Sequence, residues 1–278
     1  MSKRVNGNAA VFAVLCIAAT FALLPLWVML SDSLKTGSEI AVNSWGIPRE
    51  PTLTNYASLI HYNSGIMVRT FANSVFVSTT YTLLTLLISS LAAFAFSKYR
   101  FVGRNVLFVL LIATMMIPGE LTMPAIYLMF AKVKMLNTYA IQIFPGIANA
   151  FCLFMLKQYI ESLPDSLLEA ARIDGAGHLY VFRKIVLPLA GPALGALAVL
   201  TFLAKWNDYL WPHTLLTKTE VMPIMVILPT LNTSTSFYSI PWELILAGCL
   251  VVTLPLIVVF LVFQEQFMSS VMMGAVKE

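Results

Sequence analysis

Charge is what this chain has least of: 11% of its 278 residues are Asp, Glu, Lys or Arg, against about 25% in soluble domains. With 59% of the residues hydrophobic and a mean hydropathy of +0.84, the composition is that of an integral membrane protein. The length leaves no room for a large soluble domain beside several spans. The three cysteines, Cys16, Cys152 and Cys249, lie far apart in apolar runs, which excludes a disulfide framework and any metal-ligand spacing. His61, His178 and His213 sit on different segments. Neither His-Glu-x-x-His nor Gly-x-Ser-x-Gly occurs, so no catalytic residue is assigned. No Gly-x-x-x-x-Gly-Lys loop is present, and the chain cannot bind ATP by that route. The net charge of +4 is dispersed, without a basic run, which argues against a nucleic-acid partner.

What is there is long apolar sequence. Stretches suited to crossing a hydrocarbon core ~30 Å thick fall at about 9–30, 71–96, 106–130, 139–156, 189–210 and 244–263. They predict an all-α polytopic membrane protein with six transmembrane helices. The first run is too long for a signal-peptide core and lacks a cleavage site, so it reads as a retained span. Residues 31–70 read as an external loop, and Lys98, Arg100 and Arg104 crowd a very short loop that marks the cytoplasmic side. Between the last two spans, the apolar piece 221–231 holds Pro223 and Pro229, and it is too short to cross as a helix. It reads as external or re-entrant. Six spans place both termini in the cytoplasm. The domains implied are 1–68 (first helix and external loop), 69–263 (transmembrane domain) and 264–278 (cytoplasmic tail).

Between spans four and five, about thirty residues carry an ordered pattern of charge. Ser166-Leu-Leu-Glu169 reads as a capping box, and Gly175 after Asp174 reads as a helix stop that needs φ > 0. A second helix is expected from Gly177 to Leu187, ending at Pro188. From physics alone, this segment either lies on the bilayer as an amphipathic loop or docks on a partner.

The wording of that segment favours docking by resemblance. Glu169-Ala170-Ala171, Asp174-Gly175-Ala176, Phe182, Ile185, Pro188 and Pro192 resemble the EAA loop of binding-protein-dependent ABC importer permeases, in the form carried by the maltose and multiple-sugar permeases. The resemblance implies a type I importer permease fold, with the loop (about 161–187) as a coupling helix seated in a cleft of a separate ATPase. It implies a second homologous permease, two copies of that cytoplasmic ATPase, and an extracytoplasmic solute-binding protein. ATP and Mg would then belong to the ATPase, with no cofactor on this chain, and the location would be a bacterial or archaeal plasma membrane. Asn73-Ser74, Ser33-Leu34-Lys35, Asn55-Tyr56, Leu136-Asn137-Thr138-Tyr139 and the Gly-Ala-Val-Lys tail also resemble that family. Near Glu265, Met268 and Ser270 the tail departs from it, which puts tail contacts with the ATPase in doubt.

Five polar residues in or beside the spans are candidates for the translocation path: Asn73, Glu120, Asn149, Asn207 and Asp208. Glu120, about 20 Å up a straight helix from Val106, either lines a path or satisfies backbone groups freed by Pro118-Gly119. Gly191-x-x-x-Gly195 packs either within the chain or on a partner permease. Trp206 and Trp211 read as an outer aromatic belt. Lys205 is the single basic residue within the spans, whereas Asn73, Ser78, Thr79, Tyr81 and Asn149 suit hydroxyl-rich ligands. That balance points to a neutral mono- or oligosaccharide. The alternatives are a glycerol-phosphate or other polyol importer of the same family, or a secondary transporter, which would be expected to show internal repeats and more embedded acids. A channel reading lacks any filter-like loop.

Overall fold

The computed structural model describes residues 2–232 and 240–275, with side chains placed over 11–171, 173–232 and 240–266. The side chains of Lys3, Arg4 and Arg172, and the Gly-Ala-Val-Lys ending, therefore lie outside the described side chains. Among the described residues there are helices and turns and no strand. Three helical stretches are long and apolar enough to cross a membrane: Val11–Ser33, Thr54–Lys98 and Trp242–Gln266. Two bent pairs, Arg104–Thr114 with Gly119–Lys132 and His178–Leu189 with Gly191–Trp206, bring the count to five. Contacts group the chain into two units, 1–69 with 227–255 and 70–226 with 256–278.

In the first unit, α1 (Ser2–Ser33) runs through Pro25 without stopping, as transmembrane helices tolerate. The stretch 31–70, expected to be loop, carries α2 (Gly37–Val42), α3 (Thr54–His61) and the start of α4 (Ile66–Lys98). It is organised around a buried cation. Lys35 is fully buried, and its Nζ donates to Asp32 Oδ1 at 2.6 Å and to the carbonyls of Asn43 and Gly46 at 2.6 and 2.8 Å. Asn55 Nδ2 donates to the carbonyls of Ser33 and Lys35, and the Ser33 and Tyr56 hydroxyls share a 2.6 Å hydrogen bond. A buried charge survives only when paired and fully hydrogen-bonded, and this one is held by three acceptors.

The second unit holds 70–226 and 256–278, while 227–255 of the closing elements belong to the first. The third predicted span is two helices, α5 (Arg104–Thr114) and α6 (Met123–Lys132), bent by 94° across the break. Pro118 is extended (ψ 129°) and is followed by a 3-10 turn, Gly119–Thr122, because a proline offers no N–H to continue the ladder. The fourth is likewise divided, into α7 (Tyr139–Ile143) and α8 (Ala150–Glu161). Pro145 and Gly146, at φ 88°, fall in the gap. After α9 (Asp165–Ile173) come α10 (His178–Val181), a π-turn (Phe182–Val186) and α11 (Leu187–Leu189).

Pro188 thus does not end that helix as expected. The wider π-turn just before it accommodates the missing amide, and the bend of 75° comes later, ahead of α12 (Gly191–Trp206). α13 (Leu210–Leu215), α14 (Ile224–Ile227) and α15 (Trp242–Ala275) complete the chain. α15 passes Pro255 and continues well into the expected tail.

The piece expected to be external or re-entrant is fastened by side chains. Asn73 Nδ2 donates to the carbonyls of Glu220 and Met222, both at 2.9 Å, and Gln142 Nε2 to Val221 O between them at 2.9 Å. Ser74 Oγ accepts the Ile224 N–H at 2.8 Å, and Asn137 Oδ1 accepts from the amides of Thr217 and Lys218. Irregular backbone held against other segments needs such partners for its polar groups. Asn73-Ser74, expected to bond between helices, is a clasp for this loop.

Candidate functional site

Two places concentrate the predicted residues. The first is the charged segment. α9 begins at Asp165, so Ser166 lies inside the first turn and is not the N-cap expected of it. Asp165 takes the acidic place near the helix start, which the helix dipole favours. Lys98 Nζ donates to its Oδ1 and to Leu163 O, both at 2.7 Å. This contact joins the Lys98–Arg104 loop directly to α9, on one side of the membrane.

The C-terminus of α9 is a Schellman motif. Gly175 adopts φ 81°, and the Ala176 N–H donates back to Ala171 O at 2.9 Å. Ala171 and Ala176 pack beside a core of Leu156, Ile160, Leu168, Val181, Phe182 and Val186, with Ile185 at its edge. Phe94 reaches this core from α4, its ring 5.6 Å from that of Phe182. Tyr99 and His178 share a 2.6 Å hydrogen bond at its rim.

The opposite face is open. Glu169, Ala170, Asp174, Gly175 and Pro188 are exposed. So are Ile173, 87% accessible, and Leu179, 71% accessible. Sequence reading picked out the alanines and glycines that shape the turn but missed Ile173 and Leu179, which face outward from it. For Ile173 the one available signal was an apolar residue on the side of α9 away from Leu168; Leu179, on the short α10, carried none.

The second place is a cleft of about 430 Å³ lined by Tyr81, Thr122, Gln142, Lys205, Asp208 and Trp211 among others. Lys205 Nζ lies 3.0 Å from Asp208 Oδ2 and 5.1 Å from the centre of the Tyr81 ring. Tyr81 donates its hydroxyl to Gly146 O at 3.0 Å, and Asp208 Oδ1 accepts the Trp211 N–H at 3.3 Å.

Of the five path candidates, only Asp208 lines this cleft. Asn73 is committed to the clasp. Asn149 caps α8 through the Cys152 amide at 2.9 Å. Asn207 is exposed where α12 ends. Glu120 is exposed in the 3-10 turn; the 94° break removes the straight helix that placed it deep. Thr79 lines a different cleft, with Thr82 and Gly195. Trp206 is not a belt residue: it is fully buried, stacked 5.6 Å from Phe202 and edge-on at 5.7 Å to Phe71. Trp211 packs with Met123, Ile141 and Leu215. Gly195 packs within the chain, since a Cβ there would meet Gln266 Cβ at 2.5 Å, whereas Gly191 faces open space.

Residues 85–272 match the family described as binding-protein-dependent transport system inner membrane component. The chain belongs to this family. Arabinooligosaccharides transport system permease protein AraQ of Halalkalibacterium halodurans is 35% identical to this permease over 93% of the chain and 92% of its own length. The sn-glycerol-3-phosphate transport system permease protein UgpE of Salmonella typhi is 37% identical over 71% of the chain and 70% of its own length. Among solved structures, a bacterial ABC transporter involved in the import of the acidic polysaccharide alginate superposes with a TM-score of 0.83 at 26% identity, covering 96% of this permease and 98% of that chain. Membership makes the chain a transport permease subunit of an ABC importer, an inner-membrane component of a binding-protein-dependent system.

Proposed function

We propose that this permease is one of two related membrane subunits of an ATP-driven importer for a neutral mono- or oligosaccharide. Two copies of a cytoplasmic ATPase lie below and a solute-binding protein lies on the other side. Both termini are cytoplasmic, and ATP and Mg are bound by the ATPase. The exposed face of α9 and its Gly175 turn is the docking surface. Closure of the ATPases pushes this face; the packed core of Leu168, Phe182 and Val186 transmits the push to α12 and the helices around the cleft. The bundle then rocks between two arrangements, each favoured by a different state of the ATPase.

The observation that carries the neutral substrate is the pairing of Lys205. The described lining of the cleft has this one cation, and Asp208 already neutralises it at 3.0 Å. A phosphate or uronate would have to displace that carboxylate, whereas sugar hydroxyls can donate to the hydroxyl oxygens of Tyr81 and Thr122 without disturbing the pair. The named substrates of the relatives, arabinooligosaccharide and glycerol phosphate, bracket the question.

The decisive experiment compares neutral oligosaccharides with a polyol phosphate as substrates of the reconstituted importer with its binding protein. Uptake of the neutral sugar, unchanged between pH 6 and pH 8, is expected. Uptake of the phosphate alone, lost in Lys205→Gln, would overturn the neutral assignment and leave family membership standing.

A further inference from the structure

We propose that residues 42–53 form a lipid anchor, which dips into the leaflet at the Ser33 end of α1. On the topology above this is the outer leaflet. Four large apolar side chains in this stretch are open to the surroundings: Val42 at 76%, Trp45 at 72%, Ile47 at 72% and Leu53 at 70% accessible. Their depth follows from hydrogen bonds. The span Val11–Ser33 has 23 residues, about 34 Å of helix at ~1.5 Å per residue, against a hydrocarbon core of ~30 Å. Ser31 therefore sits within a few ångströms of the core boundary.

Gly46, between Trp45 and Ile47, is tied to that level twice. Its carbonyl accepts from Ser31 Oγ at 2.7 Å and from Lys35 Nζ at 2.8 Å. The loop cannot lift toward water without stripping two acceptors from a fully buried ammonium group, because Asn43 O is held by the same Lys35 Nζ at 2.6 Å. A tryptophan fixed at headgroup depth and flanked by aliphatic residues suits the interface, where indole rings concentrate. The polar part of the stretch is held separately: the Arg49 N–H donates to Glu39 Oε1 at 2.7 Å. The occupant is thus the lipid surface itself, recognised by depth and by apolar area. The solute-binding protein and the partner permease are the competing covers.

The test uses the assembled importer in phospholipid nanodiscs, with Cys16 and Cys249 replaced by Ser. A nitroxide is attached at Trp45→Cys, at Ile47→Cys and, as the aqueous reference, at the exposed Ser38→Cys. Collisions with dissolved oxygen and with a water-soluble nickel chelate are compared. The anchor predicts that oxygen dominates several-fold at 45 and 47 and that nickel dominates at 38, with no change when the binding protein is added. Free access of nickel at 45 and 47, or access lost only on adding the binding protein, would overturn the proposal. Shielding from both reagents would overturn it too, since protein would then be the cover. Ile47→Cys reports alone if Trp45→Cys fails to assemble. The readout does not depend on which solute is carried.

Discussion

Lys35 shows how much one side chain can organise. Its two carbonyl acceptors and Asp32 lie within reach of a fully buried ammonium, so removing the cation leaves a buried carboxylate alone. Breaking such a pair typically costs about 3–5 kcal/mol, much more than replacing both partners. Lys35→Met is expected to lower the thermal midpoint of the purified importer sharply, and Lys35→Met with Asp32→Asn to recover much of the loss. Glu39 belongs to the same region. The Arg49 backbone N–H it accepts, helped by the Asn43 amide and Lys35, holds its carboxyl below the usual carboxylate range. A lowered pKa means that the charged form is favoured by the fold. The contribution is therefore fully present at neutral pH and is lost as pH falls through the lowered value. The protection of the Arg49 amide, with the intrinsic exchange rate at each pH divided out, should fall on acidification through and below the ordinary carboxylate range, and Glu39→Gln should abolish that change in protection.

At the scale of elements, the α9 turn is built so that its exposed face keeps one shape. Gly175 at φ 81° has no atom within 4 Å of a Cβ position, so a side chain there meets no clash but does meet an unfavourable backbone region. Gly175→Val is expected to distort the turn and abolish substrate-stimulated ATP hydrolysis while the permease still inserts. Glu169→Lys, at an exposed site, should do the same through charge alone. Normal stimulation in both variants would remove the docking assignment.

This turn was legible in the sequence because every piece of it is local: a glycine after an acid, alanines at fixed offsets, a proline beyond. The burial of Lys35 was not legible. Beyond Asp32, its acceptors are carbonyls of Asn43 and Gly46, and backbone carbonyls leave no mark in a residue string. Trp206 was misplaced for a related reason. A tryptophan at the end of an apolar run has the same neighbours whether it meets headgroups or, as here, Phe71 on a distant segment. The breaks in spans three and four were foreshadowed by Pro118 and Pro145, but composition does not say whether a proline bends a span or divides it.

For the whole molecule, sidedness is the quantity on which the proposed function depends. The Lys98–Asp165 ion pair at 2.7 Å requires the short basic loop and α9 to share a compartment. Reporter fusions after residues 101 and 175 should both report cytoplasm, and fusions after 60 and 135 the opposite side. An external signal at 175 would remove both the topology and the coupling role.

The bare face of α9 also bears on the life of the subunit in the cell. Ile173 and Leu179 sit on a surface whose shape is held from within the chain, by Lys98 and the Phe182 core. A permease made in excess of its ATPase displays these side chains to proteases and chaperones that survey exposed apolar sequence. Its abundance should therefore track ATPase supply. Depleting the ATPase is expected to shorten the half-life of the permease several-fold in a pulse-chase, and Ile173→Ser with Leu179→Ser to restore it, giving an orphan that is stable but unable to couple.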